Sequence, residues 1–186
     1  LRENNPAPFA ALMDYGDVKI ISSSPERLIR YNGALAEARP IKGTRKRSDD
    51  AAKDAALIQD LQTSRKDCAG PPVSVLVTVT VKVPVLCGLE SYANVHHLVS
   101  VVQGELRDGV SSVDLVKAVF PGGSITGAPK VRAMEVIAEL ERAPRGVYCG
   151  AMGYFSFNGS CDFNIGIRTV QVADEVMRVQ GGGGIT

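Results

Sequence analysis

Tryptophan is absent from this 186-residue chain, and aromatic residues make up only 5% of it. Proteins that bind single-stranded nucleic acid usually stack its bases on aromatic side chains, so that class of function is disfavoured. Lysine and arginine total 21 against 20 aspartate and glutamate, a formal net charge of +1. No broad positive field exists to collect nucleic acid or an anionic membrane surface. No apolar run approaches the roughly 20 residues of a membrane span. The first residues, LRENNPAPFAALM, lack the basic start and apolar core of a secretory leader. The four cysteines, Cys68, Cys87, Cys149 and Cys161, are far apart and form no C-x-x-C pair. Disulfide and zinc readings therefore gain little support, and free thiols in a reducing cytoplasm are expected. What is present is an ordinary globular composition, 45% hydrophobic and 22% charged, enough for one domain or a large piece of one. Both ends read as cut within a domain, the second on the run Gly181 to Gly184 followed by Ile185 and Thr186.

The hydrophobic pattern alternates strands and helices in blocks. Residues 9–31 read as short strands, and Asn32-Gly33 is a hairpin signal that returns the chain toward Lys42. Residues 49–67 read as a helix, with Asp49 and Asp50 at its start and Ala55, Leu57, Ile58 and Leu61 as an apolar stripe. Residues 73–83 place valine at every odd position, a period-two strand. Residues 89–102 are ambiguous, with extended structure plausible. A short helix is expected over 112–119, capped by Ser111 or Ser112, and a longer one over 127–141 with Thr126 as its cap. Strands are expected over 147–157, 162–173 and 175–180. Hairpins before and after the helices favour α+β with large, mainly antiparallel sheets.

Several residues carry chemistry. Lys42 stands between Ile41 and Gly43, where a strand is expected to run into a Gly-Thr turn. A partly apolar surround can desolvate a lysine and free its amine as a nucleophile; the alternative is a strand-end lysine reaching for water. The segment FPGGSITGAPK, Phe120 to Lys130, combines tight-turning glycines with the hydroxyls of Ser124 and Thr126 and opens a helix. It reads either as an anion site or as an ordinary capped loop, and its spacing is not that of a P-loop. His96 and His97 are the only histidines, each a candidate for catalysis or for a satisfied core position. Arg168 falls in the apolar run NIGIRTV, where it needs a partner, either a ligand carboxylate or an internal one. Tyr148 could offer its hydroxyl to the same ligand, or pack.

Taken in order, PIKGT, ESYANVHHLVS, FPGGSITGAPKVRAMEVIAELE, YCGAMGYFSF, NIGIRTV and GGGGI resemble the chorismate-utilising enzymes. That family includes enzymes forming anthranilate, isochorismate, salicylate and aminodeoxychorismate. The resemblance spans nearly the whole chain as one partial chorismate-binding catalytic domain, residues 1–186, with 68–80 departing from the pattern. It implies an α+β fold of two large, mainly antiparallel sheets packed as a sandwich with helices outside, here truncated. PIKGT points to the aminodeoxychorismate-forming members, since the others usually carry alanine where Lys42 stands. The resemblance implies that Lys42 attacks ring carbon C2 of chorismate and that His97 serves the leaving hydroxyl. Tyr148 and Arg168 would hold the enolpyruvyl carboxylate. Gly182, Gly183 and Gly184 would cradle the ring carboxylate, and Ser124 and Thr126 would close over the substrate. Ammonia would come from a glutamine amidotransferase subunit.

The same resemblance implies Mg²⁺ on the ring carboxylate, held by two glutamates. Neither matches a residue of this chain: CAGPPVSVLVTVTV replaces the helix that carries the first, and the second would follow the glycine run. The replacement is either a local change or a translated reading-frame error. A silent fragment of the family, and an anthranilate-forming enzyme, are the alternative readings. Low stability and exposed sheet edges are expected of the isolated chain.

Overall fold

The computed structural model describes residues 6–64 and 77–183. Five strands come first: β1 (Phe9–Asp14), β2 (Val18–Ser24), β3 (Arg27–Tyr31), β4 (Ala36–Arg39) and β5 (Ile41–Lys46). Helix α1 (Ala51–Thr63) precedes the long hairpin of β6 (Thr78–Ser91) and β7 (Val95–Leu106). Helices α2 (Ser112–Val119), α3 (Gly123–Thr126) and α4 (Lys130–Leu140) follow, then β8 (Ala151–Phe155), β9 (Cys161–Ile165), β10 (Thr169–Ala173) and β11 (Val176–Val179). The architecture is α+β with two antiparallel sheets, as the sequence pattern requires. One sheet has the order β1-β2-β10-β11. In the other, β8, β9, β3 and β4 lead to β7; β4 and β5 run in succession along one side of β7, and β6 lies along its other side.

Local chemistry explains most boundaries. Asn32 accepts from the backbone N–H of Ala34 and Leu35, and Gly33 takes φ +93°, which closes the β3–β4 hairpin. Asp50 caps α1 by accepting from Lys53 N, and Leu61 on the inward face is fully buried. Ser111 caps α2 in a reciprocal capping box with Asp114. Ser111→Ala is expected to cost about 1 kcal/mol, read as a lower denaturant midpoint with an unchanged slope. The core of the larger sheet gathers Leu28, Ile29, Ala36 and Ile165 against Leu115 of α2.

Several expectations are corrected. Thr126 does not cap the long helix: it ends α3, and its hydroxyl donates to the carbonyl of Gly122. The long helix starts only after Pro129, because a proline keeps the residue before it out of the helical region. The run 162–173 is two strands in different sheets, and Arg168 sits in the break between them at φ +50°, not within a strand. Lys42 does not end a strand; β5 continues through Gly43 and Thr44 to Lys46. Cys149 and Cys161 are buried free thiols, but Cys87 is disulfide-bonded.

The valine alternation does not hold one face: Val77 packs against the core and Val81 lines a cavity with Thr78, across a register shift between Thr78 and Thr80. Val79, Val83 and Val85 of β6 are exposed while Thr78 is buried; residues 73–76 of the expected strand lie outside the described residues. Apolar surface is also exposed on α4, at Val131, Met134 and Leu140, and on β11, at Val176, Met177 and Val179. On α4, Val136 and Ile137 are half-buried beside these exposed positions.

The chain crosses between the sheets twice, at Pro25–Glu26 and at Gly166–Arg168, and these crossings are stitched together. Ile165 N donates to the Glu26 carbonyl at 3.1 Å, and Ser23 N to the Arg168 carbonyl at 3.0 Å. The hydroxyls of Ser22 and Thr169 meet at 2.8 Å, and Asn164 Nδ2 donates to the Phe9 carbonyl at 2.8 Å. This seam positions the candidate site.

Candidate active site

Lys42 is the extra residue of a β-bulge. Ile41 pairs with Val99 and Gly43 with Leu98, so two steps along β5 oppose one along β7. A bulge re-aims a side chain and interrupts the ladder. Here the N–H of Ile41 turns to the Glu26 carboxylate, with Ile41 N to Glu26 Oε1 at 3.4 Å. Lys42 itself is half-buried and lies within electrostatic reach of Glu26.

Glu26 was not among the residues singled out from the sequence. It is buried, at 4% exposure, and burial raises its carboxyl from 4.5 to about 7. The nearby Ser124 hydroxyl, the Ile41 N–H and the Lys42 charge oppose that rise without cancelling it. Ser124 stands close enough to favour the Glu26 anion, yet its buried hydroxyl makes no hydrogen bond of normal geometry. The only local signal for Glu26 was a glutamate behind Pro25 between two strands, and nothing in that spacing implies burial.

His97 is 2% exposed, and its Nδ1 lies 2.8 Å from Thr44 Oγ1 across the β5–β7 ladder. Burial and the neighbouring positive charge of Arg168 both hold its imidazole below the usual range, so the neutral form prevails at pH 7. His97, Arg168, Pro25 and Tyr92 face one shared hollow. The Tyr92 ring lies 5.7 Å from that of His97, and its hydroxyl donates to Glu90 at 2.6 Å.

Tyr148 and Arg168 are brought near each other through backbone. Cys149 N donates to the Gly166 carbonyl, and Gly166 N to the Gly150 carbonyl, two residues before Arg168. Gly166 has no room for a side chain there: a Cβ would stand 2.5 Å from the Val147 carbonyl oxygen. Tyr148 also reaches the glycine run, since a Cβ on Gly182 would stand 2.4 Å from its hydroxyl. Gly182 and Gly183 are exposed, and Gly184 lies outside the described residues. The structure therefore gathers Lys42, Glu26 and Ser124 in one group, His97 with Arg168 in a second, and Tyr148 with Gly182 in a third. Thr126 is occupied by its own loop. Lys130 Nζ donates to the Val119 carbonyl at 3.0 Å, which ties that loop shut between α2 and α4.

His96, the other histidine, is a brace. Its Nε2 lies 3.1 Å from Asp54 Oδ1 and its Nδ1 2.8 Å from Ser91 Oγ. Asp54 also accepts from Ser48 N and Arg47 Nε. The Ser48 N–H, His96 and Arg47 together outweigh its burial and hold the Asp54 carboxyl down at about 2. A carboxyl lowered from 3.8 stabilises the fold above pH 4, and that contribution is lost as pH falls toward 2. Acid titration followed by circular dichroism should show this loss, and Asp54→Asn should reduce the slope in that window, which Asp14, Asp114 and Glu141 share.

Among the described residues no three His, Cys, Asp or Glu side chains gather as a metal site requires. The residues present do not fit the implied Mg²⁺, and no step is derived through it. No helix among the described residues is long and apolar enough to cross a membrane.

The sequence pattern of the chorismate binding enzyme family matches residues 1–70 and 73–186. The chain is 44% identical over 195 residues to aminodeoxychorismate synthase component 1 of Bacillus subtilis (strain 168), covering all of this chain and 42% of that protein. It is 43% identical over 195 residues to anthranilate synthase component 1 of Aquifex aeolicus (strain VF5), covering all of this chain and 40% of that protein. Its fold superposes on the crystal structure of anthranilate synthase component I from Streptococcus pneumoniae TIGR4 with a TM-score of 0.83 at 35% identity, over 94% of this chain and 40% of that one. The chain thus spans less than half the length of these relatives.

Proposed function

This chain belongs to the chorismate-binding enzyme family, and from that membership we propose that it serves the conversion of chorismate and ammonia to 4-amino-4-deoxychorismate. Relatives forming aminodeoxychorismate and relatives forming anthranilate are about equally similar, so overall likeness does not choose between them. The observation that carries the choice is Lys42, a half-buried amine on a bulge beside a carboxyl that titrates near neutrality.

The residues support the following sequence. Glu26, with a carboxyl near 7, accepts a proton from the Lys42 ammonium and so frees the amine. The amine attacks ring carbon C2, both conjugated ring double bonds shift toward C4, and the C4 hydroxyl leaves as water on taking a proton that Glu26 or His97 delivers. Ammonia then adds at C4 and gives up a proton, both double bonds shift back, and the Lys42 nitrogen departs from C2 carrying a proton in its place. Arg168, beside His97 and close by backbone to Tyr148, supplies the cation for a substrate carboxylate. A glutamine amidotransferase partner would supply the ammonia.

A second reading, a chain that holds chorismate without converting it, is favoured by the lack of a metal-type cluster among the described residues. One experiment separates the two. The chain is incubated with chorismate, Mg²⁺ and ammonia, and products are resolved by chromatography. Aminodeoxychorismate that disappears in Lys42→Ala supports conversion. Chorismate binding without any product supports the second reading, and anthranilate as the product sinks the first.

A further inference from the structure

A chamber of about 90 Å³ lies between the larger sheet and α2, on the Glu26 side of the seam and away from the hollow of His97 and Arg168. A water needs roughly 10–15 Å³ on such a measure, so the space holds several waters or one small organic molecule. Its walls include Leu28, Val102, Leu115 and Ile165, all buried and apolar. Glu26, Arg27 and Gln103 also line it, and two hydroxyls on its wall stand without a normal partner. Among the described residues the Thr78 hydroxyl, on a residue only 8% exposed, has no hydrogen-bond partner, and the buried Ser124 hydroxyl has none of normal geometry. Buried hydroxyls are normally paired, and an unpaired one facing a cavity asks for a partner inside it.

Charge decides what that partner can be. The cation on the chamber wall, Arg27, is already saturated. Asp162 takes its Nε at 3.0 Å and Nη2 at 3.1 Å, and Glu37 takes its Nη1 at 3.1 Å. An anion entering here meets carboxylates with no free cation on the wall to offset them, and any ion leaves water for apolar walls. A dicarboxylate such as chorismate is the wrong occupant. We propose that this chamber is a second ligand site, which takes a small uncharged molecule with an apolar body and a hydroxyl that pairs with Thr78. The chamber shares Glu26 and Ser124 with the proposed reaction centre but none of the residues that line the hollow of His97 and Arg168, and the binding proposed here does not depend on that reaction.

Phenol is the probe, titrated into the whole chain by calorimetry, with benzene and benzoate as companions. Saturable phenol binding is expected, with benzene about fivefold weaker for want of the hydrogen bond. Benzoate should show no binding at this site. Thr78→Val keeps the β-branched shape and deletes the hydroxyl. It should bring phenol down to the affinity of benzene while leaving benzene unchanged. No saturable phenol binding would mean that water alone fills the chamber, and would overturn the proposal. So would benzoate binding as tightly as phenol, or phenol binding unchanged in a folded Thr78→Val chain. If that variant fails to fold, the phenol-to-benzene ratio on the unaltered chain still decides: a ratio near one overturns the site.

Discussion

Lys42→Ala is expected to lower the formation of aminodeoxychorismate by a factor on the order of 10³ or more, with no matching loss of folded structure. The bulge explains why the effect falls on chemistry. Lys42 is the residue that β7 leaves unopposed, so its side chain is not part of the ladder that holds β5 in place. Lys42→Arg is the sharper test. It keeps the charge and most of the length, but a guanidinium does not deprotonate and cannot attack as an amine. Both variants should therefore fail alike. An arginine variant that retains activity would show that position 42 supplies charge rather than a nucleophile, and the covalent step would have to be abandoned. Trapping offers an independent readout: mass spectrometry of the quenched reaction should find substrate mass attached at Lys42, and none in either variant.

Glu26→Gln is expected to stabilise the chain above neutral pH while impairing turnover. The folded-state carboxyl is raised to about 7 from 4.5, chiefly by burial. A carboxyl raised on folding favours the native state below its unfolded value, and that contribution is lost as pH rises through the folded value. Between pH 4.5 and 8 the chain should therefore lose roughly 3 kcal/mol of stability through this one group. Glutamine keeps the shape and cannot ionise, so the variant should lose this decline and keep only the rise toward pH 6.5 that the lowered His97 imidazole contributes. Equal pH slopes in the two proteins would show that Glu26 is not buried as described. The Asp54 effect has the opposite sign and lies between pH 4 and 2, so the two do not overlap. In turnover, the variant removes the group that would take the Lys42 proton. Its activity should fall most at neutral pH and recover partly at high pH, where solvent removes that proton.

Much of this architecture was legible because it rests on short-range chemistry. The Asn32–Gly33 hairpin, the Asp50 cap on α1 and the Ser111 cap on α2 each depend on neighbours within a few residues. The misreadings share a cause as well. The run 162–173 has strand character throughout, and nothing in its periodicity says that the chain changes sheets at Gly166–Arg168. Thr126 has the right chemistry for a cap, but Pro129 displaces the helix start beyond its reach. The period-two valines on β6 predicted a strand without showing its irregularity: across a register shift at Thr78–Thr80, Val79 and Val83 are exposed while Val81 faces a cavity.

By itself, then, the sequence determined the α+β class, most strand and helix positions, and through its ordered motifs the likeness to chorismate-utilising enzymes. It also singled out Lys42, because lysine or alanine at one position is a local fact. The tertiary structure alone decided that Lys42 sits on a bulge, that Glu26 is buried beside it, and that Arg168 leaves its strand to join His97. The physical reason is distance along the chain. Glu26 owes its raised carboxyl to burial at a seam built from β2, β3, β9 and β10, with Ile41 and Ser124 brought alongside. Burial of that kind is a property of the assembled sheets, and no window of neighbouring residues contains it.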